Sequence, residues 1–123
     1  MGIEHSTAKS FLYAFEGVKT AFKEEPNFKI HTAIAIFAII LALLLKFSPS
    51  EWAILLITIC LVLILELVNT ALESIVNLVS PQVKQEAKIA KDVAASAVLL
   101  VSVTSFLIGI ILFVPKILSI LTF

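Results

Sequence analysis

Residues 52–79 read WAILLITICLVLILELVNTALESIVNLV, and the fold turns on whether the glutamate at position 66 belongs inside a membrane span. The uncharged part, Trp52 to Leu65, falls short of the roughly 20 helical residues that a bilayer core requires. Spanning length is reached only if Glu66 is accepted and the helix runs on to Val79. A carboxylate there is costly unless it is protonated, paired or facing a wet cavity, so its presence demands an explanation. On a helix, Glu66, Asn69, Glu73 and Asn77 lie within roughly 80° of one another and form one polar stripe on an otherwise apolar cylinder. Counting from Trp52 as an interfacial anchor, Glu66 lies roughly 21 Å down the helix and Glu73 roughly 31 Å.

The rest of the chain fits the same solvent. It has 123 residues, 60% of them apolar and 15% charged, which is too apolar for a soluble core of one small domain. Thr32 to Leu45 is a second uncharged run, short for a bilayer unless its flanks snorkel. Val93 to Val114 is a third, uncharged throughout and followed by Pro115 and Lys116. The expected architecture is an all-α membrane protein forming a single domain over residues 1–123, with a surface helix at 6–24 and spans at 28–47 and 52–79. A helix over 82–114 contains the third span. No cleavable signal is visible in Met1 to Asn27. Cys60 sits mid-span and reads as a small apolar filler.

All nine cations are lysines. Lys9, Lys19, Lys23 and Lys29 precede the first span, and Lys84, Lys88 and Lys91 separate the second from the third. Only Lys46 and Lys116 lie on the other side. This bias predicts a multi-pass protein of the cell membrane with a cytoplasmic N-terminus. The net charge is zero, and no nucleic-acid partner is expected. Phe11, Phe15, Val18 and Phe22 recur at helical spacing, as in a helix lying on the cytoplasmic leaflet or an amphipathic cap packed on the loops. Lysine flanks favour the membrane. Pro26 breaks this helix from the next, leaving Glu24 and Glu25 at a bend. Residues 46–51 form a short outer turn, and Ser80-Pro81 suits the cap and first turn of the last helix. His31 is an interfacial residue by default, and His5 belongs to the terminus.

Glu25, Glu73 and Asp92 gather at the inner interface as hard oxygen ligands, with Lys91 as a cation beside them. Ala87, Ala90, Ala94, Ala95, Ser96 and Ala97 let another backbone come close. Carboxylates at that density suit Mg²⁺, which takes one or two protein carboxylates and completes its shell with water and substrate phosphates. Gly2, Gly17 and Gly109 are isolated, so neither glycine-rich nucleotide fingerprint is present.

The run Glu66-Leu67-Val68-Asn69-Thr70-Ala71-Leu72-Glu73, followed by Ala90-Lys91-Asp92 and joined by Gly17 and Glu25, resembles the small prokaryotic integral-membrane lipid kinases. This is the family of bacterial diacylglycerol kinase and undecaprenol kinase, and the resemblance covers nearly the whole chain. It implies a homotrimer with sites assembled between subunits and transfer of the ATP γ-phosphate to a lipid hydroxyl at the cytoplasmic interface. By the same resemblance Glu66 is the general base and Asn69 the polar asparagine of the site. Glu25 and Glu73 bind Mg²⁺ and ATP, Lys91 and Asp92 contact the nucleotide, and Tyr13 lies near it.

Asn77 stands where relatives commonly carry aspartate, and Pro26 where many have a small residue. Asn27-Phe28-Lys29-Ile30-His31 and Phe113-Val114-Pro115-Lys116 resemble the Gram-positive branch. That branch prefers undecaprenol, which makes His31 a candidate substrate contact. Diacylglycerol is the alternative substrate. Outside the class, the stripe could line an oligomeric pore or transport subunit, although a pore has no reason to gather Glu25, Lys91 and Asp92 at its mouth.

Overall fold

The computed structural model describes residues 6–82 and 84–122; His5 lies outside them. Four helices follow in order: α1 Thr7–Glu24, α2 Pro26–Leu44, α3 Pro49–Val79 and α4 Gln85–Leu121. No strand occurs among the described residues. The last three helices are long and apolar enough to cross a membrane.

Each junction has a local cause. Glu25 is extended (φ −102°, ψ 110°) and closes α1 through its backbone N–H to the Ala21 carbonyl, while Pro26 opens α2. A residue before proline is driven out of the helical region, and proline fits a helix's first turn, so the Glu-Pro pair sets the bend. At the far end α2 stops at Leu44, before the expected boundary at 47. Lys46 adopts φ 53°, Phe47 N–H donates to the Ala42 carbonyl (3.1 Å) and Lys46 N–H to the Leu43 carbonyl (3.2 Å). This is a Schellman closure with lysine in the left-handed position that glycine usually takes. Ser48 then caps α3 in a capping box with Glu51, and Pro49 occupies the first turn.

The last helix departs from the expected 82–114 at both ends. Ser80 caps the end of α3 rather than opening α4, with its N–H on the Val76 carbonyl and its hydroxyl on the Gln82 carbonyl. Lys84 is the N-cap of α4. At the other end α4 continues through Pro115 to Leu121, since neighbouring groups within a membrane bundle can absorb the carbonyl that a proline frees.

The buried core is small and lies near the α2–α3 turn, where Ala42, Phe47, Leu55 and Leu112 meet. Phe47 packs on Phe113 (4.8 Å between ring centroids) and edge-on to Trp52 (6.2 Å), and Lys116 reaches Glu51 at 3.1 Å. Ala42 has no exposed surface. In lipid, small residues earn their place by letting helices approach closely, because apolar burial alone does not drive association there. Phe11, Phe15, Val18 and Phe22 are all exposed, as is Cys60, so Cys60 fills no gap inside the chain.

Candidate functional site

The opposite, lysine-rich half of the bundle holds the polar stripe of α3. Glu66 is 3% exposed, with Oε1 lying 3.2 Å from Nε2 of His31 on α2. Phe28, His31 and Ala35 are spaced to share one face of α2; Phe28 and Ala35 are buried, so that face turns inward and carries the imidazole with it. The approach is not a well-directed hydrogen bond: Glu66 Oε1 is buried with none. Thr70 hydroxyl donates to the Glu66 carbonyl (3.0 Å), so it is satisfied along its own helix.

One turn on, Asn69 Nδ2 donates to Glu73 Oε1 at 3.2 Å, while Asn69 Oδ1 is buried without a hydrogen-bond partner. Glu25, half-buried at the α1–α2 bend, and Glu73 both act electrostatically on Glu66. Three carboxyl groups therefore share one region, which invites a cation. Among the described residues no three or more His, Cys, Asp or Glu side chains converge on a point. The donor set nevertheless fits Mg²⁺: two carboxylates and an orphaned amide oxygen are hard ligands, and Mg²⁺ rarely uses more protein oxygens than this.

Across the α3–α4 junction, Lys91 Nζ donates to Asn77 Oδ1 at 2.6 Å. Its sequence neighbour Asp92 turns elsewhere and pairs with Lys88 Nζ at 2.8 Å, so Lys91 and Asp92 engage different partners. These side chains line a cleft of about 220 Å³ together with Lys84, Ser80 and Gln82. Tyr13 lies on α1 and is half exposed. A larger apolar cavity of about 560 Å³ runs between α2, α3 and α4 from His31 to Phe113, with Thr58, Ser102 and Ser105 in its walls.

The structure thus joins Glu66 to His31, Asn69 to Glu73 and Lys91 to Asn77. The Lys88–Asp92 pair was readable from its four-residue spacing. The His31–Glu66 contact had no local signal, since it joins two helices.

The family model for prokaryotic diacylglycerol kinase matches residues 12–113, from the residue before Tyr13 to Phe113 in the cavity wall. The chain belongs to the prokaryotic diacylglycerol kinase family. A Synechocystis protein named diacylglycerol kinase is 48% identical over 91% of this chain, which spans 65% of that relative's length. A Bacillus subtilis protein named undecaprenol kinase is 40% identical over 88% of both chains. A Helicobacter pylori diacylglycerol kinase is 35% identical over 75% of this chain and 72% of its own length. Both substrate names therefore occur among relatives in this kinase family.

Proposed function

We propose that the protein is an ATP- and Mg²⁺-dependent lipid kinase that phosphorylates undecaprenol at the cytoplasmic face of the cell membrane. The observation that carries this reading is the depth order along α3. Glu66 is enclosed beside an apolar cavity, and Glu73 lies two turns nearer the lysine-rich end, joined to Asn69. Such an order suits a reaction between a membrane-bound alcohol and a water-borne polyphosphate.

In this reading Glu66 takes the proton of the lipid hydroxyl as its oxygen attacks the γ-phosphorus. The bond from that phosphorus to the β–γ bridging oxygen breaks, and ADP leaves. Glu25, Glu73 and the Asn69 amide oxygen would hold Mg²⁺, which when bound supplies charge neutralisation at the phosphates. Lys91, held by Asn77, and Asp92 border the nucleotide, with Tyr13 beside it. Positioning and charge carry phosphoryl transfer, and little covalent work is left to the protein.

The exposed aromatic stripe of α1 supports a helix lying on the membrane. The exposed apolar faces of the spans leave room for two further copies, as a homotrimer requires. Undecaprenol is favoured over diacylglycerol by residues 27–31 and 113–116, which resemble the polyprenol-using branch and contribute His31, Phe113 and Val114 to the cavity wall. The test is purified protein in micelles with Mg-ATP and each alcohol in competition, following phosphate into the lipid phase. Preferential labelling of undecaprenol is expected, and preferential labelling of diacylglycerol would reverse the substrate assignment.

A further inference from the structure

Glu66 has an orientation problem that its own helix does not solve. A glutamate side chain rotates about three bonds, and a general base must keep one oxygen aimed at the proton it removes. On its own helix, the Thr70 hydroxyl donates to the Glu66 backbone carbonyl and not to the carboxyl. The side-chain group that meets Oε1 is the imidazole of His31, at 3.2 Å. The ring is itself mostly enclosed, with its side chain 23% exposed. His31 also lines the 560 Å³ apolar cavity, so it stands between the cavity and the carboxyl.

We propose that His31 is a positioning residue for Glu66: a neutral imidazole that donates from Nε2 to Oε1 and leaves Oε2 to receive the alcohol proton. This rests on the lipid-kinase reading above. A neutral imidazole offers one donor and one acceptor, and with Nε2 as donor the acceptor is Nδ1, on the other side of the ring. Catalytic hydrogen bonds in the free enzyme are commonly long or poorly aligned and tighten when substrate is bound, which accounts for the loose geometry seen here. The role is distinct from a simple lipid contact, because its loss changes turnover and not lipid affinity.

Two readouts test the proposal. In ¹⁵N-histidine NMR of the full chain in micelles, the two histidines give separable signals, assigned by their loss in His31→Gln. The His31 Nε2 resonance is expected to move in Glu66→Gln and to stay in Glu51→Gln, at the opposite end of the bundle. In kinetics, His31→Leu is expected to lose about 10²-fold in kcat, the scale of a misplaced catalytic group, with KM for ATP and lipid unchanged. His31→Gln, whose amide donates at a similar reach, is expected to recover most of that loss. A His31 resonance indifferent to Glu66→Gln overturns the proposal, and so does a His31→Leu defect confined to lipid KM. If wild-type protein labels no alcohol, the kinase reading fails separately, while the resonance still decides whether the contact exists.

Discussion

Lys91 Nζ sits 2.6 Å from Asn77 Oδ1, a bond that ties the start of α4 to the end of α3 across the α3–α4 junction. It holds one ammonium at the edge of the cleft where a nucleotide's phosphates would lie. The partner is neutral, so Lys91 keeps its full charge for an anion.

Asn77→Ala releases that lysine. A hydrogen bond to a charged group is worth up to about 3 kcal/mol and much less when solvent reaches it, so KM for ATP should rise about three- to tenfold while kcat changes less. Asn77→Asp should also raise KM, for the opposite reason: the lysine stays anchored but its charge is neutralised. Steady-state kinetics against ATP separates the two, because added salt weakens only the charge effect.

Glu73→Gln should leave lipid affinity alone and raise the Mg²⁺ concentration for half-maximal activity about tenfold, since one hard carboxylate becomes an amide. The Asn69–Glu73 hydrogen bond can survive the change, because the glutamine retains an acceptor oxygen. A Mg²⁺ titration at saturating ATP reads the effect.

Lys46→Gly should stabilise the protein. The left-handed conformation at φ 53° costs a non-glycine residue about 1 kcal/mol, and glycine adopts it freely. The gain is reduced by the extra freedom of glycine in the unfolded chain. Unfolding in mixed micelles measures it, and the site, at the other end of the bundle, should keep its kinetics.

Hydropathy made the spans legible, because lipid tolerates so few patterns. Glu66 was legible for the converse reason, as a charge where charge is expensive. Glu25-Pro26 announced its bend by sterics. What stayed hidden depends on how one helix is rotated against the next: His31 meets Glu66 only because Phe28 and Ala35 turn that face of α2 inward. The same holds for Lys91, which reaches back to Asn77 while adjacent Asp92 turns to Lys88. Ser80 and Pro81 misled because a serine can close one helix as readily as open another, and its hydroxyl bonds Gln82 within the loop. Pro115 misled because a proline in a membrane helix need not end it.

The role of Glu66 is tested most directly by a single-turnover measurement of ³²P passing from γ-labelled ATP to undecaprenol, with wild-type protein beside Glu66→Gln and nucleotide affinity measured on both. Wild type is expected to yield labelled lipid, and Glu66→Gln to lose about 10²- to 10⁴-fold in rate with nearly equal affinity for ATP. Transfer at the wild-type rate by Glu66→Gln, or no label in any lipid alcohol with wild type, would contradict that role.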